Sequence, residues 1–351
     1  MHMKKLLFIV LMFTGMQISK AQSSFALTDG SPALVYTLPK TELCFEVTVE
    51  KEVEKPGVFY QYSQRYLATD KVIVEEKMTF NVKGVKVIGR PVPDISRRFS
   101  VSPTEKSALR NIKVNEQGIL CGVNNPAEKK TVEIRKEIIR KEIGQKAGSG
   151  EILPLTQEYM MAGSTAKLAE GAAKQIYEIR QSRINLLTGE MDQLPSDGEA
   201  LKMMLSGLDA QEKVLTELFT GTRISETTTH HVTIIPDSLN LESVLFRLSA
   251  KRGFVDKDDM GGEPFYISIH PEKIQVKAPD PKAKSVVIGL YTVLPAQTSV
   301  KVSDGVNTLL ERNFFIPQFG ELVPLPESLF KSLKVKVKID EATGRLIAIE
   351  N

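Results

Sequence analysis

The chain has 351 residues, of which 42% are hydrophobic and 25% are charged, a composition typical of soluble globular proteins. These figures exclude global disorder, a collagen-like repeat and a polytopic membrane protein, and the length predicts about two to three domains. The 46 basic and 43 acidic residues leave a formal net charge of +3. This excess is too small to indicate nucleic-acid binding.

The first 21 residues have the pattern of a secretory signal peptide. Lys4 and Lys5 supply a positive start, residues 6–18 are mostly apolar, and the small residues Ser19 and Ala21 mark a cleavage site after Ala21. The apolar stretch is shorter than the roughly 20 residues that a membrane-spanning helix needs. The sequence therefore predicts an exported protein, periplasmic or associated with the outer membrane, with no membrane-spanning segment after cleavage. Cleavage also removes the charge excess, because this segment contains three lysines and no acid.

Residues 22–155 are predicted to form an N-terminal domain that is mostly β-structure. The clearest strand covers residues 44–50, where Phe45, Val47 and Val49 alternate with polar residues. Successive side chains of a strand point to opposite faces, so these three are expected to share one buried face.

Other elements of this domain are less regular. Residues 60–67 indicate a short amphipathic helix, and residues 72–87 a strand with Gly84 at a turn or bulge. A Pro-Val-Pro sequence at residues 91–93 is expected to interrupt the strand structure. Basic and acidic residues alternate over residues 128–150, which favours a solvated connector over a polyanion-binding stripe.

Residues 156–221 are predicted to form a long helical hairpin. The first helix ends at Thr188-Gly189, and two starts fit the pattern, one near Thr156 and a later one at Gly163 to Thr165. The second helix is expected to begin with Ser196 as N-cap and Glu199 in a capping box. Helices joined by so short a link pack antiparallel.

The first helix carries a seam of small residues at spacings of three and four. Such a seam allows close approach of another helix, so it is the predicted interaction face for a partner or for self-association. The seam consists of Ala162, Ala166, Ala169, Ala173 and Ile176.

Residues 222–351 are predicted to form a C-terminal domain that is again mostly β-structure. Alternation is clearest over residues 333–339, followed by a hairpin turn at residues 340–344. Only residues 241–250 have a helical pattern. The predicted fold is therefore α+β, with two strand-rich, sandwich-like antiparallel regions separated by a long antiparallel helical hairpin.

Candidate metal sites and cofactor sites are weak in this sequence, and no cofactor is predicted. The best cation candidate is an acidic loop, but Met260 stands where an EF-hand-like count needs an oxygen ligand, so a polar hairpin loop is favoured. The acids of this loop are Asp256, Asp258, Asp259 and Glu263. His230 and His231 are adjacent on a predicted strand and point to opposite faces, which does not make a metal pair.

Two cysteines, Cys44 and Cys121, leave two alternatives open. Export would allow them to form one disulfide, whereas the position of Cys44 on the polar face of its strand favours two free thiols. No CxxC motif supports a zinc site or a redox site.

Several separated blocks occur in an order that resembles a known family. They are residues 158–167 (EYMMAGSTAK), Gln64–Leu67, Ile179–Arg180, Leu186–Glu190, Leu218–Gly221, Pro317–Gly320 and Leu325–Pro326. The family they resemble is an uncharacterised exported family of Bacteroidota, domain of unknown function 4831. The resemblance covers nearly the whole mature chain and implies no activity and no catalytic residues.

Two functional hypotheses follow. The first is an exported, non-catalytic cell-envelope protein that serves as a protein-interaction or structural module. The alternative is an exported hydrolase or glycan-active enzyme whose site assembles from distant residues. The absence of GxSxG, Walker, GxGxxG and HExxH motifs favours the first.

Overall fold

The computed structural model describes residues 25–28, 31–101, 112–124, 163–190, 197–272, 286–326 and 334–350. Within these residues the fold is mostly antiparallel sheet with some helix, and the strands form three sheets. The predicted signal peptide, the connector at residues 128–150 and two predicted residues, Ala162 and Ser196, lie outside the described part of the chain.

Sheet I contains β1 (Phe25–Thr28), β2 (Ser31–Lys55), β3 (Lys77–Val101) and β6 (Thr222–Ile234). β2 is central, with β3 on one side and both β1 and β6 on the other. The other described strands form sheets II and III.

Sheet II is built from β7 (Leu241–Ser249), β8 (Gly253–Val255), β9 (Glu263–Pro271), β10 (Val286–Ser303) and β11 (Thr308–Pro326). Sheet III is built from β4 (Ile112–Val114), β5 (Leu120–Val123), β12 (Lys336–Ile339) and β13 (Leu346–Glu350). The strand order is β11-β10-β9-β7-β8 in sheet II and β13-β12-β5-β4 in sheet III.

Sheets I and II pack face to face around one hydrophobic core. Phe45, Val47 and Val49 of β2 are at most 1% exposed and meet Ile267 of β9 and Val300 of β10 in this core. The alternation predicted for residues 44–50 is confirmed. The strand itself is much longer than this alternating segment, since β2 has 25 residues.

A second core lies where the other ends of the long strands meet sheet III. Leu34, Tyr36 and Leu38 of β2 pack there with Val337 and Ile339 of β12. The buried positions of β2 are thus even-numbered up to Leu38 and odd-numbered in the sheet I–sheet II core. The change coincides with a register shift between Thr37 and Leu38 in the β2–β3 ladder.

Polar side chains tie sheet I to sheet II between the two cores. The side-chain amide of Gln318 accepts the N–H of Thr41 at 2.8 Å and donates to the carbonyl of Thr41 at 2.9 Å. Arg97 donates to the carbonyls of Pro317 at 2.8 Å and of Gln318 at 2.9 Å. Hydrogen bonds to buried backbone groups satisfy atoms that would otherwise be costly to bury.

Two of the sheets combine strands that precede the helical region in the sequence with strands that follow it. β6 pairs with β2 over its whole length, from Lys55↔Thr222 to Leu43↔Ile234, and β12 pairs with β5. Sheets I and III therefore each contain strands from both predicted β-domains, residues 22–155 and residues 222–351. Sequence patterns mark where strands occur and carry little information on which distant strands pair.

The structure contains three α-helices in the described residues. They are α1 (Ser63–Leu67), which follows a 3₁₀ turn at Tyr60–Tyr62, α2 (Thr165–Thr188) and α3 (Gly198–Thr220). α2 and α3 lie near each other. None of these helices is both long and apolar enough to cross a membrane.

The helix ends follow local capping chemistry. The Ser164 side chain accepts the Lys167 N–H, so α2 has the later of the two predicted starts. α3 is capped by Asp197, which accepts the Ala200 N–H at 2.6 Å, one residue after the predicted N-cap Ser196. Gly189 ends α2 as predicted, with a left-handed φ of 77°.

Two predictions within the strand regions were wrong. Residues 241–250 were expected to be helical but contain β7. A register shift between Val244 and Phe246 marks a bulge in this strand, and the adjacent side chains Leu245 and Phe246 are both buried there. That bulge gives the apolar residues a helix-like spacing. β3 also continues through residues 91–93, since prolines are tolerated in the edge strand of a sheet.

Candidate functional site

The helices and the segment between β2 and β3 form a compact unit at one end of sheet I. This helical module consists of residues 57–74, α2 and α3. Its core is made of large rings set against small residues of α2: Phe59, Ala169, Ala172, Ala173, Ile176, Leu215 and Phe219. The Phe59 and Phe219 ring centroids lie 5.5 Å apart, a spacing typical of favourable aromatic pairs.

The small-residue seam of α2 is buried in this core. Ala169 and Ile176 are 0% exposed and Ala173 is 3% exposed, while Ala166 is half-buried. Three of the four described seam residues are therefore covered within the folded chain, and Ala166 is partly exposed. The seam is occupied within the chain, because the rings of Phe59 and Phe219 fill the space that small side chains leave.

Backbone hydrogen bonds join residues 57–74 to the end of α3. Phe59 donates to the carbonyl of Leu218 at 2.7 Å, and Ile73 donates to the carbonyl of Thr220 at 2.8 Å. An added Cβ at Gly57 would lie 2.3 Å from the Leu218 carbonyl oxygen, so only glycine allows this approach.

An ion network connects α2 with α3. Arg180 Nε lies 2.7 Å from Glu212 Oε1, and Arg183 pairs with both Glu212 and Asp209. Burial opposes ionisation of Glu212, but hydrogen bonds from Arg180 and Arg183 outweigh it and hold the pKa of Glu212 below its usual value. The network fixes one relative position of the two helices.

A shallow groove of ≈ 550 Å³ runs along the outer side of α2. Its lining residues, which define the tyrosine groove, are Tyr66, Glu170, Ala173, Lys174, Tyr177, Glu178 and Gln181. Tyr177 is 50% exposed, and its hydroxyl donates to the Tyr66 carbonyl at 2.7 Å. The groove thus presents a held aromatic ring beside charges of both signs.

A second depression of ≈ 610 Å³ lies on the same module. It is lined by residues of the turn and of the chain after α1: Tyr60, Gln61, Ser63, Gln64, Ala68, Thr69, Asp70, Val72 and Val74. Sequence patterns indicated the short helix here but not the depression, which exists because residues 57–74 fold back onto α3.

The acidic loop between β8 and β9 is held by its own hydrogen bonds. Asp259 accepts the Gly261 N–H at 3.0 Å and pairs with Arg252 at 2.5 Å, and both partners lower the pKa of Asp259. Asp256 accepts the N–H of Asp258 at 3.2 Å. In the described residues, no group of three or more histidines, cysteines or acids could hold a metal ion.

The three histidines of the described chain lie at two places, His230 and His231 on β6 and His270 on β9. The His230 ring stacks on Phe254, with centroids 4.3 Å apart and planes inclined by 4°. His231 follows it on β6. His270 is half exposed, and its Nε2 lies 3.7 Å from an oxygen of the exposed Glu242. None of the three lines the tyrosine groove or the second depression.

His230 is expected to make the protein less stable in mild acid. Burial, and secondarily the charge of His231, lowers the pKa of His230 in the folded state. The unfolded chain binds this proton at a higher pH, so stability is lost as the pH falls below the unfolded value of about 6.5. Unfolding in urea at pH 7.5 and pH 5.5 is expected to show a smaller acid loss for His230→Gln than for the unmodified chain.

The matched control for this pH experiment is His270→Gln, which leaves the His230–Phe254 stack intact. It is expected to retain the acid loss that depends on His230. An acid loss of equal size in His230→Gln and in the unmodified chain would show that this ring does not set the response.

Both cysteines are free thiols in the structure. Cys44 lies in sheet I and Cys121 in sheet III. Burial, together with the nearby carboxylate of Glu341, raises the pKa of Cys121 to about 12. Since the thiolate is the reactive form, Cys121 is poorly suited to nucleophilic chemistry.

Comparison with protein families gives one match. A family model described as Domain of unknown function (DUF4831) matches residues 33–347, nearly the whole chain. Comparison with curated proteins and comparison with solved structures give no match.

Proposed function

The chain belongs to the DUF4831 family, and from this premise we propose that it is an exported, non-catalytic protein of the cell envelope that binds another protein through its helical module. In this proposal the tyrosine groove is the contact surface, and the two sandwich-like cores serve as its rigid support. α2 and α3 act together as one antiparallel helical hairpin.

The observation that carries the proposal is the tyrosine groove itself. Tyrosine and arginine are enriched at protein interfaces. Tyrosine adds a large contact area at little conformational cost. Tyr177 is half exposed, is oriented by its bond to the Tyr66 carbonyl, and has the Arg180 guanidinium 5.6 Å from its ring centroid.

The charges around the groove favour a polypeptide as the partner. Glu170 and Glu178 lie on either side of Lys174 in the lining. A polyanion would meet the two carboxylates, whereas a polypeptide offers both charges and backbone amides. The hairpin inference is supported by the order of contacts, since Arg180 pairs with Glu212 and Arg183 pairs with Asp209.

Site-specific crosslinking tests this function. A photo-crosslinking amino acid replaces Tyr177 in a C-terminally tagged chain, which is irradiated in intact cells before the envelope is solubilised. Tyr266 on β9, which is 40% exposed, provides the matched control position. The expected result is one envelope protein captured from position 177 and absent from position 266.

A second variant separates loss of binding from loss of folding. Lys174→Glu changes the groove charge at an exposed position, so it is expected to reduce capture at position 177 while the chain stays folded. Its two new like-charge neighbours, Glu170 and Glu178, are expected to lower stability by about 1 kcal/mol at most. Capture of the same proteins from both positions, or no capture from position 177, would contradict the proposed function. Assays for hydrolase activity would then be the next measurement.

A further inference from the structure

The three long edge strands of the described sheets differ in how they are protected from pairing with another strand. These strands are β3, β11 and β6, since the remaining edges are strands of only three to five residues. Proteins commonly protect an edge with prolines, charged side chains (above all lysine), bulges or short length.

Two of the long edges carry such protection. β3 contains Pro91 and Pro93, and its ladder with β2 has two register shifts. β11 contains Pro317, Pro324 and Pro326, and its ladder with β10 has three register shifts. Each proline removes a backbone donor, and each shift bends the strand away from a regular ladder.

β6 carries less of this protection, since its two charged side chains are Glu226 and Arg223, and Arg223 is paired with Glu52 and Glu54 of β2. The 13 residues of β6 include no proline and no lysine, and its ladder with β2 runs from Lys55↔Thr222 to Leu43↔Ile234 without a register shift. Every side chain from Arg223 to Thr229 is exposed. Within the described residues β6 is hydrogen-bonded to β2 alone, and no other described strand pairs with its outer edge.

The sequence of β6 is complementary to itself in the antiparallel direction. Pairing over the full strand places the two-fold axis at the middle residue, Thr228. Ile224 then faces Val232, Glu226 faces His230, and Thr227 faces Thr229 of the second copy. One apolar pair forms on each side of the axis, an acid meets an imidazole, Ile234 meets Thr222, and no like charges are opposed.

We propose that two copies of this chain associate through antiparallel pairing of their β6 strands, which joins the two copies of sheet I into one continuous sheet. The interface is isologous, as expected for a two-fold dimer. It lies on the sheet and not on the tyrosine groove, so it goes beyond the proposed function and does not depend on it.

Charge placed on the two-fold axis tests this dimer. The unmodified chain is expected to sediment as a dimer across the micromolar range. Thr228→Lys opposes two ammonium groups and Thr228→Glu two carboxylates, and each is expected to weaken the dimer about tenfold or more. An equimolar mixture of the two variants is expected to recover the dimer, because opposite charges then face each other.

The control is Thr308→Lys, which changes an exposed threonine at the start of the protected edge strand β11 and is expected to leave the dimer intact. Circular dichroism confirms that each variant is folded. A monomeric unmodified chain would overturn the proposal. So would a dimer that Thr228→Lys does not weaken, or a mixture of the Thr228 variants that stays monomeric.

Discussion

Phe219→Ala is expected to lower the free energy of unfolding by about 3–5 kcal/mol. The ring is 0% exposed and packs against Phe59 and the small residues of α2 in the core of the helical module. Removing it leaves a cavity that the backbone cannot close, since α3 is hydrogen-bonded to residues 57–74 beside it. Chemical unfolding followed by circular dichroism measures the effect.

The matched control for Phe219→Ala is Phe315→Ala on β11, where the ring is 51% exposed. This variant is expected to cost about 1 kcal/mol, because roughly half of this ring is buried, against about 1.5–3 kcal/mol for full burial of such a side chain. Equal losses for the two variants would mean that burial in the module does not determine the contribution of Phe219.

Gly221→Ala is expected to cost about 3 kcal/mol or more, because two penalties act at one residue. Gly221 has φ 89° and ψ 174°, a backbone conformation that is essentially restricted to glycine. An added Cβ would also lie 2.5 Å from the carbonyl oxygen of Lys55, at the point where α3 passes into β6. The unfolding midpoint of the purified variant measures this cost.

Gly207→Ala provides the opposite outcome on the same helix. Gly207 lies inside α3, and an added Cβ there meets no atom within 4 Å. Alanine is expected to stabilise the protein by about 0.5–1 kcal/mol, because it restricts the unfolded chain and favours the helix. If both glycine variants shifted stability in the same direction, the structural distinction between these positions would be incorrect.

The blocks that resemble the family have structural positions that the sequence alone did not reveal. Leu218–Gly221 contains the end of α3, where residues 57–74 are hydrogen-bonded to it. Gln64–Leu67 lies in α1, where Gln64 lines the second depression and Tyr66 lines the tyrosine groove. Pro317–Gly320 lies between the two cores, where Gln318 bonds to Thr41. The blocks thus belong to the helical module and to the polar junction between sheets I and II.

Local chemistry allowed the sequence to predict several elements. Ser164 and Gly189 bound α2 because capping groups and left-handed glycines act within a few residues of a helix end. Gly84 lies at a bulge in β3, as predicted, because the ladder shifts between Thr48 and Val49. Phe45, Val47 and Val49 share a buried face because the period of a strand is two.

Tertiary structure decided the candidate surfaces and the partners of the strands. The seam containing Ala169 and Ala173 has the same spacing whether a ring of its own chain or a partner covers it, and only the fold brings Phe59 and Phe219 onto it. Likewise, the Thr-rich sequence of β6 does not indicate that this strand pairs with β2. Periodicity records how a segment presents its side chains, whereas long-range packing determines what those side chains meet.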